Sequence, residues 1–363
     1  MDTVPFNLVL FVVDFVLLWG LAHWGNKRLW FVAVVMDFIM IKGVSWFLKL
    51  PNGQNIVEGV CFHFGLFLII SGFILYLRKH RITGVISMIL GLPLPILGVY
   101  CMFYEPYAIT LEHYTIISPK VERPIRIVFV SDTQTNTISN YELKVFRLMN
   151  SQKADLILFG GDYLQFFGKT EDMETLRRRF NGALAAEKFE APLGVYALQG
   201  NNDGNFQDLF KGTGIQTVTK TQTIDLGPIV LTLLSLGDSS LSRYRNENRP
   251  KIFLKTEEEQ AKFHLMVGHR PTYLTGSTDA DLMLAGHTHG GQIIIPFYGP
   301  LAIGVRSPLF QRKWAAGIHA GTHNHPSGSH FLVTRGTGME RKWAPEIRFL
   351  CKPEISVIDI VPE

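Results

Sequence analysis

The sequence predicts two architectures joined end to end. Residues 1–104 read as four membrane-crossing helices, and residues 105–363 as a layered α/β domain. Three observations predict this. Apolar residues crowd the N-terminal part in runs long enough to cross a bilayer. Beyond Tyr104 the runs give way to short strand-like segments separated by polar helical ones. The residues suited to chemistry stand just after those strand-like segments. The 363 residues are 47% hydrophobic and only 18% charged, which excludes a disordered, collagen-like or disulfide-framework chain.

The four apolar stretches are Phe6–Trp24, Leu29–Phe47, Ile56–Leu77 and Ile82–Tyr104, and about 20 apolar residues suffice to cross a bilayer as a helix. A signal peptide would supply one such stretch behind a basic lead-in, whereas here only Asp2 precedes the first. Basic residues set orientation. The first and third links carry Lys27, Arg28, Arg78, Lys79 and Arg81, and the second link carries Lys49. This count places both termini, and everything after Tyr104, outside the cytoplasm. Ionisable groups within the spans call for partners. Asp14 and Asp37 are expected to meet Lys42, with His63 nearby, as a structural polar cluster or as a proton or ion path. Cys61, Cys101 and Cys351 lie singly and read as small apolar packers, so no disulfide or thiolate metal site is expected.

After Tyr104 acids and bases nearly balance, and no basic stripe marks a nucleic-acid surface. Pro119–Pro124 reads as the linker edge. Pro124–Ser131 reads as a buried strand, Tyr141–Gln152 as a helix, Ala154–Gly160 as a strand, Thr170–Arg179 as a charged helix and Gly194–Gln199 as a third strand. Further strands are expected at Ile229–Leu236, His264–Val267, Ala280–Ala285, His330–Val333 and Glu354–Ile360. Strands alternating with helices, then a strand-rich half, argue for an α/β layered domain.

Asp132 follows the first of these strands, Asp162 the second, and Asn201 the third. His269 follows the strand at Leu265, and His287 and His289 the one at Leu282. Open α/β sheets place ligands at such strand ends. Two carboxylates, an amide and three imidazoles delivered to one edge suit a pair of divalent cations.

This order of Asp, Gly-Asp, Gly-Asn, His and Gly-His-x-His resembles the calcineurin-like metallophosphoesterases. The likeness runs from about Ile125 to Val361, including Ala191–Tyr196 and Ala285–Ile293. It is greatest to the membrane-linked branch with the UDP-2,3-diacylglucosamine pyrophosphatases and the transmembrane proteins carrying a metallophosphoesterase domain. The resemblance implies an α/β/β/α sandwich and two divalent ions, drawn from Mn, Fe, Zn or Mg. It implies that Asp162 bridges them, that Asp132 and His289 hold the first, and that Asn201, His269 and His287 hold the second. A hydroxide activated between the two ions would attack phosphorus.

Two positions depart from the family pattern. Gln134 stands where Asp-x-His has histidine, and would ligate through its carbonyl oxygen. Asn202 stands where Gly-Asn-His has histidine. An amide donates a hydrogen bond but supplies no proton, so Asn202 and Asp203 are the candidate catalytic groups. A leaving group that is already a stable anion needs less acid help, which favours a phosphodiester or pyrophosphate bond. The expected partners are therefore a phosphorylated small-molecule or lipid substrate and the membrane. The rival reading is a catalytically weak metal-binding sensor. His319, His323, His325 and His330 read as a solvated loop or an accessory metal site. Arg270, Arg335 and Arg341 are candidates to receive phosphate, and Ser242–Arg249 a loop rimming the site.

Overall fold

The computed structural model describes residues 4–24, 26–48, 53–165, 172–240, 251–252, 254, 256–305, 310–322 and 325–363. Lys49, His323 and the Ser242–Arg249 loop lie outside the described residues. The chain divides into two compact units. One holds residues 1–104 with 340–347, and the other residues 105–339 with 348–363.

Four helices of the first unit, Val4–Trp24, Lys27–Phe47, Gln54–Leu77 and Arg81–Tyr107, are long and apolar enough to cross a membrane. Asn26 starts the second by accepting from the backbone N–H groups of Arg28 and Leu29, so two otherwise orphaned donors are satisfied. The third and fourth approach closely where a Cβ at Gly84 would overlap the carbonyl of Gly72, the small-residue contact that membrane helices favour. Phe11, Phe15, Phe31, Phe38 and Phe73 face outward, an apolar surface suited to lipid tails.

The polar cluster among these helices differs from expectation. Nδ1 of His63 lies 3.2 Å from Oδ2 of Asp14, and Nε2 lies 3.1 Å from Oδ1 of Asn7. Asp37 is fully buried. Lys42 is exposed. Five residues along a helix turn the side chain by about 140°, so Lys42 cannot share the face of Asp37, and it is His63 that partners Asp14.

The second unit is built on two six-stranded sheets. Its strands are β1 (Thr110–Ile117), β2 (Ile125–Val130), β3 (Leu156–Phe159), β4 (Val195–Leu198), β5 (Gln216–Val218), β6 (Gln222–Asp225), β7 (Ile229–Leu233), β8 (Lys251–Ile252), β9 (Phe263–Val267), β10 (Ser277–Thr278), β11 (Leu282–Ala285), β12 (Ile294–Ile295), β13 (Gly299–Pro300), β14 (Gly317–Ala320), β15 (His330–Val333) and β16 (Glu354–Val361). The first sheet runs β1-β16-β2-β3-β4-β5 and the second β14-β15-β11-β9-β7-β6, with β8–β10 and β12–β13 as separate two-strand ladders. Each large sheet has a parallel centre. In the first, β2, β3, β4 and β5 run parallel; in the second, β7, β9, β11 and β15 do.

Period-two alternation sorts the strand side chains between layers. Ile125, Ile127 and Phe129 pack with Leu231, Leu265 and Leu284 between the sheets. Val128 and Val130 turn the other way, onto Val145, Phe146, Leu176 and Phe180. Those last residues lie on the helices Asn140–Ser151 and Met173–Glu187. The first begins with Ser139 and Glu142 capping one another's ends. The outer face of the second sheet is covered by one-turn helices instead, with Tyr273, Leu274 and Trp314 packing on Met283 and Phe331.

Three boundaries move. The expected strand to Leu236 ends at Leu233, because Ser235 accepts from the N–H of Asp238 and starts a helical turn. The helix expected to end at Arg179 continues to Glu187, because Leu176, Phe180, Ala183 and Leu184 keep an apolar stripe against the sheet. Pro119–Pro124 is no linker edge. β1 precedes it and pairs with β16 along its whole length, so the domain already includes residues 110–117.

Candidate metal centre

All six candidate ligands sit where the parallel strands end. Asp132 and Asp162 follow β2 and β3, Asn201 follows β4, His269 follows β9, and His287 and His289 follow β11. The two sheets thus aim their C-terminal ends at one place. One oxygen of Asp162 and one nitrogen each of His269 and His287 lie within 4.8 Å of one another. His289 Nε2 lies 3.7 Å from Asp132 Oδ1. The backbone N–H of His287 donates to Asp132 Oδ2 at 2.7 Å, which ties the two halves of the cluster together.

The backbone is strained here. Asp132, Gln134, Asp162, His287 and His289 have φ of 54°, 32°, 58°, 72° and 50°, a region L-residues other than asparagine and aspartate seldom enter. Such strain, of order 1–3 kcal/mol per residue, persists only where surrounding structure enforces it and concentrates at functional sites. The enforcement is visible at Gly200, where a Cβ would overlap the backbone and carboxylate of Asp162.

The donor set fits a cation on chemical grounds. Nδ1 of His269 donates to the carbonyl of Gly160 at 2.8 Å. That leaves Nε2 to face Asn201 Oδ1 at 3.1 Å and Asp162 Oδ2 at 3.5 Å. A cation, or a proton on Nε2, reconciles the three. Asp132 Oδ1, on a fully buried residue, likewise accepts no hydrogen bond, an arrangement costly without a counterion.

The titration of the same groups points the same way. Burial pushes the Asp132 carboxyl up to about 6. Burial would raise Asp162 too, but the charge and hydrogen bond of His269 hold it below the usual carboxylate range. Burial would lower His269, yet the Asp162 carboxylate lifts it to about 9. Burial, aided by the charges of His269 and Arg270, drives His287 down to about 3. By itself the cluster thus holds its positive charge on His269, while His287 and His289 stay neutral, the form in which imidazoles bind metals.

Gln134, Asn202 and Asp203 all lie in the cluster. Gln134 turns its amide nitrogen to Asp162 Oδ2 at 2.9 Å. Asn202 grips the same carboxylate twice, through its backbone N–H to Oδ1 at 2.7 Å and its Nδ2 to Oδ2 at 2.8 Å. Asp203 lies where it braces the site, with burial and the Asp162 charge pushing its carboxyl up to about 7. Its two oxygens accept from the backbone N–H groups of Asp162, Tyr163 and Gly200 at 2.6–2.7 Å, so it braces the turns that carry Asp162 and Asn201.

Of the three arginines, Arg270 alone reaches the centre, donating from Nε to Asn201 Oδ1 at 3.3 Å. Arg335 is held by Glu112 and Glu354 at 2.5 and 3.0 Å. Arg341 lies in the segment grouped with the helical unit and pairs with Glu346. His319 and His325 engage nearby backbone groups of Ala316 and Thr322. Among the described residues, the cluster at Asp162 is the metal-competent group. One contributor was missed. Arg348, fully buried, donates to the carbonyls of Arg335, Gly338 and Cys351, fixing the Gly336–Gly338 loop, whose N–H groups donate to the carbonyls of Ser131 and Asp132. No local pattern marks it, because its partners are backbone atoms assembled by the fold.

Residues 125–291 match the calcineurin-like phosphoesterase family, and this part of the chain is a calcineurin-like phosphoesterase domain. The chain is 29% identical over 277 residues to the uncharacterized metallophosphoesterase YkuE of Bacillus subtilis, covering 72% of this chain and 88% of the relative. It is 27% identical over 252 residues to the phosphodiesterase YaeI of Escherichia coli, covering 66% and 83%. Among solved structures, the phosphoesterase Yfce from E. coli aligns over 60% of this chain and 82% of its own, at 14% identity and a TM-score of 0.30.

Proposed function

We propose that this chain is a membrane-anchored phosphohydrolase that cleaves a phosphodiester or pyrophosphate bond with two divalent cations. The observation that carries the reading is the convergence of Asp162, His269 and His287 within 4.8 Å. Asp132, His289 and Asp162 would hold one ion, and Asp162, Asn201, His269 and His287 the other. When bound, such ions polarise phosphoryl oxygens and lower the pKa of water.

The chain's own groups account for the rest. Asn202 and Asp203 orient the Asp162 turn, Gly160 holds the His269 tautomer, and Arg270 lies beside Asn201 where a substrate phosphate would enter. With the Asn202 amide engaged on Asp162 and Asp203 engaged on backbone, neither supplies a proton to a leaving oxygen. That supports a leaving group already stable as an anion, such as a nucleoside monophosphate.

Four candidate spans support an anchored enzyme acting on lipid-linked phosphates, which the membrane concentrates in two dimensions. The excess of basic residues in the first and third links supports a domain on the non-cytoplasmic side. Reporters attached after Tyr107 test this side, and cytoplasmic reporter activity would reverse it.

The reaction is tested on the full chain in detergent with Mn and bis-p-nitrophenyl phosphate, with Asp162→Asn as control. Metal-dependent turnover above the control is expected. Metal binding without turnover would favour a sensor.

A further inference from the structure

The ladder β12–β13 leaves the candidate metal centre a few residues after His289 and ends in a bare apolar tip. Phe297 is fully exposed, Tyr298 is 58% exposed, and Ile295 and Leu301 are exposed beside them. Soluble domains rarely present large apolar side chains contiguously without a partner. Phe297 also has φ of 65°, a conformation uncommon for an aromatic residue, so the turn holds the ring outward at a conformational cost.

The surroundings say what kind of partner this is. Residues 282–339 contain no aspartate or glutamate. Arg312 lies 4.6 Å over the Tyr298 ring and donates to the carbonyl of Pro300 at 3.1 Å, and Lys313 beside it is exposed. Aromatic and aliphatic side chains at a tip, with Arg312 and Lys313 beside them in an acid-free stretch of sequence, match the headgroup layer of an anionic bilayer. The base is stiff, since Leu301 N–H donates to the Ile293 carbonyl at 2.8 Å and Ile294 N–H to the Phe349 carbonyl at 2.9 Å.

We propose that the Ile295–Leu301 hairpin inserts into the surface of an anionic phospholipid bilayer and brings lipid-borne phosphates to the adjacent metal centre. The insertion stands on the hairpin alone, and only the delivery of phosphate rests on the proposed hydrolase activity.

The test uses the full chain in nanodiscs of phosphatidylcholine and phosphatidylglycerol. The native Cys61, Cys101 and Cys351 are buried, so a nitroxide can be placed selectively at Phe297→Cys, at Leu301→Cys, and at Lys211→Cys as an exposed control. The expected result is a several-fold higher ratio of oxygen to nickel-chelate accessibility at 297 and 301 than at 211. Equal ratios would overturn insertion, and labels shielded from both agents would replace the bilayer with a protein partner. In a second arm, Phe297→Ser with Tyr298→Ser should leave bis-p-nitrophenyl phosphate turnover unchanged and lower turnover of a vesicle-embedded phosphodiester several-fold. Equal losses on both substrates would overturn delivery. No turnover by the unaltered chain on either would sink the hydrolase reading and leave the accessibility result standing.

Discussion

The two sheets of the phosphoesterase domain contribute different chemistry to one centre. The first supplies oxygen donors, Asp132, Asp162 and Asn201, from turns backed by two full helices. The second supplies nitrogen donors, His269, His287 and His289, from turns backed by single helical turns. The oxygen side is braced mostly by its own loops, through Asp203, Asn202 and the glycine turns. The nitrogen side is braced across the interface, through Gly160 to His269 and Asp132 to His287. The centre is therefore a property of sheet-on-sheet packing.

That comparison can be broken at Asp162, where both halves meet. Asp162→Asn is expected to drop phosphodiester turnover to background and to abolish the strongest metal-binding step by calorimetry. Retained metal binding would show that the halves bind independently. Replacing a donor on the nitrogen side, His269→Asn, should weaken Zn more than Mn, since imidazole favours the softer ion. An equal loss for both metals would remove the division of labour between sheets. Asn202→Ala should cost about 10–100-fold in kcat, the usual effect of losing a group that orients a ligand. The dependence of rate on leaving-group pKa should stay unchanged, and a steeper dependence would make Asn202 a proton donor after all.

Arg348→Met tests the brace behind Asp132. Leaving buried carbonyls unsatisfied should destabilise the domain by about 1–3 kcal/mol, read by denaturant unfolding, with weaker metal binding at saturating protein stability. Gln134→His should have the smallest effect, tightening binding by roughly tenfold or less. An unchanged titration would leave Gln134 as a brace on Asp162 only.

Much of the centre was legible in the sequence because strand ends and their turns are local. A short apolar run followed by a tight turn fixes where a side chain emerges, and Asp132, Asp162, Asn201, His269, His287 and His289 all stand just past such runs. What the local pattern could not convey was the direction in which polar groups point. Asp203 looks like a free carboxylate in Gly-Asn-Asn-Asp, but three backbone N–H groups claim it. Lys42 looks like a partner for Asp37 until helical geometry turns it away. β1 escaped notice because an edge strand carries a mixed polar pattern, and only its pairing with β16 reveals it.

By itself, the sequence determined two things: where the apolar runs are long enough for a bilayer, and which strand ends carry metal-binding chemistry. Both follow from periodicity and residue type within a few positions. Tertiary structure decided which of those side chains meet, which are spent on backbone amides, and which arginine reaches the centre. Those outcomes depend on the register of β2, β3, β9 and β11 across two packed sheets, and on distances between residues more than a hundred positions apart.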